Sequence, residues 1–253
     1  MTDLVGIVVA LQANYLEVEL DHPPERIPGR LLCTRRSRLS HRGAAVHVGD
    51  RVRVEAVDPV QARAVVAAVE PRSSWLTRPP VANVSLVVVA LAVDQPAFDP
   101  DQASRFLLTA ERTELPVQLL LTKCDLLDED QSAQLKKRLS GWGYEPLLLS
   151  SETGLGMDDL RRRLQESPLS VLCGPSGVGK SSLLNALMPT LSLRVGAVSG
   201  RLQRGRHTTR HVELFPLNQG SRVADTPGFN RPDLPENPRD LDMLFPELRD
   251  QLD

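Results

Sequence analysis

The chain has 253 residues, enough for one large α/β domain and a small satellite domain. Thirty Lys+Arg stand against 32 Asp+Glu, a net charge of −2, so any nucleic-acid binding has to come from local patches, not from the field of the whole chain. The cysteines Cys33, Cys124 and Cys173 are scattered without C-x-x-C spacing, which suits a reducing cytosol and gives no cysteine metal site. The apolar stretch 4–11 is too short to span a membrane and lacks a basic leader. A cytoplasmic protein without membrane association is expected, and nothing in the sequence calls for more than a monomer.

Residues 1–70 read as short Val- and Leu-rich strands at 4–10, 15–20, 29–33, 51–57 and 64–69. Asp21-His22-Pro23-Pro24, Gly49-Asp50 and Asp58-Pro59 break them. Five short strands in this length point to a small β-barrel, with the OB-fold leading and an SH3-like barrel giving much the same pattern. Residues 71–83, with Pro71, Pro79 and Pro80, read as a linker.

From residue 84 the period changes. The continuous apolar run 84–93 is expected of a parallel strand buried on both faces. Helices near 101–114, 129–141, 157–166 and 180–188 then alternate with strands at 116–121, 145–149 and 169–173, the signature of a doubly wound α/β sheet. This α/β domain is expected over 84–232. The acidic stretch 233–253 reads as a C-terminal helical segment on the surface, anchored by Leu244-Phe245.

The segment Gly174-Pro175-Ser176-Gly177-Val178-Gly179-Lys180-Ser181 matches G-x-x-x-x-G-K-[ST] and falls between a strand and a helix, with Ser182 following. Its glycines let backbone N–H groups and the helix N-terminus face a β-phosphate. Lys180 would bridge β- and γ-phosphate oxygens, and the Ser181 hydroxyl would ligate Mg²⁺. Asp225-Thr226-Pro227-Gly228 follows a short strand 45 residues beyond Lys180. There Asp225 would hold Mg²⁺ through water, and the Gly228 N–H would meet the γ-phosphate. Alone, D-x-x-G is more often a plain turn; downstream of a phosphate loop it reads as functional.

Thr122-Lys123-Cys124-Asp125 ends the strand 117–121. The Asp125 carboxylate can accept from guanine N1–H and its N2 amine, and adenine offers neither of those donors. Lys123 would lay its aliphatic stem on the base. Thr122 stands where the usual N-K-x-D has Asn, the residue that ties this loop to the phosphate loop, so weaker affinity with retained guanine preference is expected. Ser150-Ser151-Glu152, after the next strand, reads as the companion base loop. By itself T-K-x-D would more often be a capped helix start.

From 191 to 212 there is no acidic residue, while Arg194, Arg201, Arg204, Arg206 and Arg210 add positive charge and Gly196, Gly200 and Gly205 add freedom. Thr208 or Thr209 is expected to complete the Mg²⁺ shell. After Gly228 comes Phe229, where Ras-like enzymes place a water-orienting glutamine. His207 can position water or accept a proton, or it is an exposed loop residue that contacts RNA; both readings stand. The base-reading element precedes the phosphate loop, the reverse of the ordinary order, so the chain is circularly permuted.

With that order, an N-terminal barrel, G-P-S-G-V-G-K-S-S, G-R-H-T-T-R and D-T-P-G-F, the sequence closely resembles the RsgA (YjeQ) family over roughly residues 1–250. The resemblance implies a GTP hydrolase of late small ribosomal subunit (30S) maturation, stimulated by that subunit, with an OB-fold that contacts 16S rRNA and a switch histidine that maps onto His207. The family normally continues into a zinc domain with three Cys and one His. No Cys lies beyond Cys173 in this chain, so the zinc domain and its ligands are not expected in it. Arg35, Arg36, Arg38 and Arg42, in a stretch from 26 to 42 without acids, are the candidate RNA contacts. A GTP-dependent RNA-binding switch with negligible turnover is the alternative, and a permuted GTPase serving the large subunit is a third reading, disfavoured by the N-terminal barrel.

Overall fold

The computed structural model describes residues 4–12, 14–36, 45–189, 212–217, 220–225 and 241–252. The chain divides into two compact units, one holding residues up to Val84 together with the 212–215 stretch, the other running from Ser85 and including residues from 216 onward.

In the first unit, β1 (Leu4–Leu11), β2 (Leu16–Leu20), β3 (Arg30–Arg35), β4 (Arg51–Asp58) and β5 (Arg63–Val69) form a closed ring. Antiparallel pairs join β1 to β2, β2 to β3, β5 to β4 and β4 to β1, while β3 and β5 run parallel. That ring order is the OB-fold barrel, and it decides against the SH3-like alternative. Alternating strand residues fill it: Val8, Leu16, Val18, Leu31, Cys33, Val52 and Val66 are all buried in one cluster. Gly6 lets β1 serve both neighbours, since a Cβ there would sit 2.4 Å from the Glu19 carbonyl oxygen.

Two features of this unit differ from the sequence reading. Residues 71–83, read as a linker, carry a two-stranded hairpin, β6 (Trp75–Thr77) with β7 (Pro80–Ala82). It is stitched to the barrel by the Ala82 N–H donating to Val48 O at 2.9 Å and the Asn83 side chain donating to Gly49 O at 2.9 Å. Prolines drew the linker reading, but Pro80 sits in a two-stranded edge where a missing N–H is tolerated. The second feature is β12 (Glu213–Pro216), whose Glu213 pairs antiparallel with Ala10 of β1.

The second unit is a parallel sheet. Its strands are β8 (Leu86–Ala92), β9 (Val117–Thr122), β10 (Leu147–Leu148), β11 (Leu169–Cys173) and β13 (Arg222–Asp225), in the order β10-β9-β8-β11-β13. Every residue of β8 and β11 is buried, as the unbroken apolar runs require. The connecting helices are α1 (Pro100–Glu111), α2 (Glu129–Ser140), α3 (Met157–Gln165) and α4 (Lys180–Leu187). Asp99 caps α1 ahead of Pro100, and Asp128 with Gln131 forms a capping box on α2. Leu160 and Leu164 of α3 meet Leu183, Leu184 and Leu187 of α4 over Val88, Leu120, Leu172 and Val223 of the sheet.

At the C-terminus, a 3₁₀ turn (Asp242–Leu244) leads into α5 (Pro246–Leu252). Leu244 and Phe245 line a groove with Leu107, Leu108, Trp142 and Tyr144. The Tyr144 hydroxyl donates to Glu111 at 2.9 Å, and Arg249 pairs with the same carboxylate. Burial, then the Glu111 charge, push the Tyr144 phenol well above its usual range, so it stays a donor.

Candidate functional site

β11 lies between β8 and β13, and the loop leaving its C-terminal end is 174–179. Gly174, Gly177 and Gly179 have φ of +138°, +83° and +92°, values that favour glycine. Gly174 is constrained further, because a Cβ there would fall 2.1 Å from the Ala90 carbonyl oxygen of β8. Pro175 and Val178 are buried, while Ser176 and Gly177 face solvent. Lys180 opens α4 and is 7 % exposed. Its ammonium donates to Gly174 O and Pro175 O, both at 2.7 Å, so the charge is drawn over the mouth of the loop. Ser181 and Ser182 follow in the first turn, both half-buried.

β9 ends at Thr122, whose hydroxyl lies 2.6 Å from Val178 O and 3.2 Å from Leu91 O. Lys123 adopts the left-handed conformation at φ 60° and turns its ammonium onto Gln95 O. Its Cε would be 3.9 Å from a Cβ on Gly179, so the stem runs beside the phosphate loop. Cys124 is buried, and burial above all raises its thiol pKa. Asp125 sits in the 3₁₀ turn Cys124–Leu126 with its side chain exposed.

The companion loop adjoins this one. Cys124 N–H donates to Leu149 O at 3.0 Å, and Leu149 N–H donates to Leu121 O at 2.8 Å. Ser150 is buried, and its hydroxyl accepts from the Glu152 and Thr153 N–H groups at 3.2 and 3.1 Å. Ser151 and Glu152 are exposed. The loop after β11 and the loops after β9 and β10 therefore all leave the C-terminal edge of one parallel sheet, with β8 between β9 and β11, the edge where ligands bind in open α/β sheets.

β13 ends at Asp225, opposite Leu172 in parallel register and so level with the start of the phosphate loop. Ser181 stands in the first turn of α4, just past that loop; hydroxyl and carboxylate oxygens are the donor chemistry that a hard divalent cation takes. His207, Thr208, Thr209 and Gly228 lie outside the described residues, as do Arg38 and Arg42. Arg35 and Arg36 are exposed at the end of β3, and Arg36 pairs with Glu55 at 2.6 Å.

Sequence reasoning passed over residues 93–99. Gln95 receives Lys123, and the Pro96 Cδ lies 3.6 Å from where a Cβ on Gly177 would be, so this loop flanks the phosphate loop. Its only sequence signal was position, directly after a central parallel strand.

Fold and site together define a circularly permuted P-loop GTPase, with the strand that ends in T-K-x-D preceding the strand of the G-x-x-x-x-G-K-S loop in the chain. The RsgA GTPase family model matches residues 69–235. The chain is 77 % identical over 252 residues to the small ribosomal subunit biogenesis GTPase RsgA of Parasynechococcus marenigrum, covering all of this chain and 84 % of that protein. It is 64 % identical to the protein of the same name from Prochlorococcus marinus MIT 9303, covering 99 % and 81 %. Among solved structures, YjeQ from Thermotoga maritima aligns with a TM-score of 0.79 at 32 % identity, covering 96 % of this chain and 81 % of that one. YloQ, described as a circularly permuted GTPase, aligns at 0.74 with 28 % identity, covering 97 % and 79 %. The chain belongs to the RsgA GTPase family.

Proposed function

We propose that this protein is a cytoplasmic, Mg²⁺-dependent GTP hydrolase acting in late maturation of the small ribosomal subunit, binding 16S rRNA and stimulated by the subunit. The observation that carries the reading is the junction of phosphate and base loops through the Thr122 hydroxyl and Val178 carbonyl, 2.6 Å apart, in a chain whose close relatives are named for small-subunit biogenesis.

Lys180 exchanges the Gly174 and Pro175 carbonyls for phosphate oxygens and stabilises negative charge as the β–γ bond breaks. The 174–179 backbone, held open by its glycines, supplies N–H donors to the β-phosphate. Asp125 reads the guanine edge, Lys123 covers the base, and Ser150-Ser151-Glu152 closes the far side. Ser181 and Asp225, with Thr208 or Thr209, would hold Mg²⁺, which supplies charge neutralisation at the phosphates when bound. His207 orients the attacking water in place of the glutamine that Phe229 replaces. Arg35, Arg36, Arg38 and Arg42 contribute to the RNA face.

Displacement of a fluorescent guanine nucleotide by GTP and by ATP tests the site. GTP should compete at least about 100-fold better, because a guanine-reading carboxylate leaves adenine unpaired. Equal competition would overturn the assignment of Asp125.

A further inference from the structure

The barrel unit carries an aromatic cluster that the nucleotide site does not use. Trp75, one of two tryptophans in the chain, is 38 % exposed. It is not needed as a core anchor, because the buried residue of β6 is Leu76 while Trp75 and Thr77 face outward. The Arg72 guanidinium lies 4.5 Å from the Trp75 ring centroid, and the His47 ring lies 4.6 Å away at 58°.

This frame is held from within. Asp50 is 0 % exposed. Its carboxylate accepts from Arg72 Nε at 2.7 Å, from Arg72 Nη2 at 2.9 Å and from the His47 N–H at 2.8 Å. Arg72 Nη2 also donates to Ala45 O at 2.9 Å. The cation is thus fixed before any ligand arrives, and little side-chain entropy remains to be lost on binding. The one carboxylate of the cluster is buried and satisfied, so it does not repel a phosphate.

We propose that Trp75, framed by Arg72 and His47, is a stacking platform for an unpaired base of single-stranded RNA. A planar aromatic with a fixed cation against it is an arrangement that single-strand binders use, with stacking supplying affinity and the cation contributing to it. A protein hot spot would seat its tryptophan in a dry apolar surround, whereas the rings and groups against the half-exposed Trp75 are the Arg72 guanidinium and the His47 imidazole. The proposal rests on the reading that the barrel meets rRNA, and names the chemistry by which it does so.

Trp142→Phe leaves Trp75 as the sole tryptophan reporter in the full chain, with GTP binding as the check that the protein is folded. Titration with a 16-nucleotide single-stranded RNA at fixed salt should quench its emission, and a duplex of the same length should not. Trp75→Ala should weaken binding of the single strand about 5- to 150-fold, with Trp75→Phe retaining most of it. Emission indifferent to the single strand, equal quenching by duplex, or unaltered affinity in Trp75→Ala would overturn the platform. Cosedimentation with small subunits, run alongside, separates the two levels. Subunit binding without quenching sinks the platform alone, and quenching without subunit binding sinks the ribosomal reading while the platform stands.

Discussion

The Thr122 hydroxyl donates to the Val178 carbonyl across 2.6 Å, joining the end of β9 to the glycine-rich loop before α4. The sequence departs here from the asparagine of N-K-x-D, and a shorter side chain was expected to weaken the tie. The structure keeps a tie, because Val178 is buried and its carbonyl comes within reach of a hydroxyl at the end of β9. Thr122→Val preserves shape and removes the donor. It should cost about 1–3 kcal/mol in denaturant unfolding and raise the Kd for GTP, while Thr122→Asn should restore both. A Val variant as stable and as tight as the parent would show that the contact contributes nothing.

Glycine conformation gives a paired test. Gly174 combines φ +138° with a Cβ position 2.1 Å from Ala90 O, whereas Gly154 has φ +83° and nothing within 4 Å. Gly154→Ala should cost about 1 kcal/mol for the left-handed backbone alone. Gly174→Ala must also push β8 and β11 apart, so its loss should exceed about 3 kcal/mol and abolish nucleotide binding. Equal losses on denaturation would contradict this geometry.

Asp125→Asn exchanges an acceptor for a donor at the base edge. Xanthine carries a carbonyl where guanine has its N2 amine, so the variant should lose GTP by about 100-fold or more and gain xanthosine triphosphate. A competition assay with both nucleotides reads the switch. Unchanged preference for GTP would remove Asp125 from the base site.

Glu213, opposite Ala10 on the barrel, has its carboxyl pKa raised above 4.5, first by burial, then by the Glu17 charge, with Arg30 opposing. The unfolded chain therefore releases this proton first as pH rises. The contribution of Glu213 to stability is full below the unfolded value and is lost as pH climbs through the folded one. Glu213→Gln cannot ionise, so its unfolding midpoint should exceed the parent's near about pH 7, and the gap should close near about pH 4. A gap independent of pH would exclude this titration as the cause.

Much of the fold was legible because the signals were local and long. The run around β8 announced a buried parallel strand, and 169–188 announced strand, loop and helix in one motif. What escaped depended on contacts distant in sequence. The basic stretch 26–42 contains no acid, yet Arg30 pairs with Glu19 and Arg36 with Glu55 across strand neighbours. Trp75 and Arg72 looked like linker residues until Asp50, 22 positions before Arg72, was seen to hold the guanidinium. Gln95 showed no motif at all, and only the reach of Lys123 marks its place beside the site.

The most direct measurement is multiple-turnover phosphate release from GTP, with and without purified small subunits at fixed salt, with ATP and Lys180→Ala as controls. A ribosome-activated GTPase should release phosphate at least about tenfold faster with subunits, from GTP alone and only when Lys180 is present. A rate indifferent to subunits, with GTP still bound tightly, would contradict activation and leave a nucleotide-dependent binding switch.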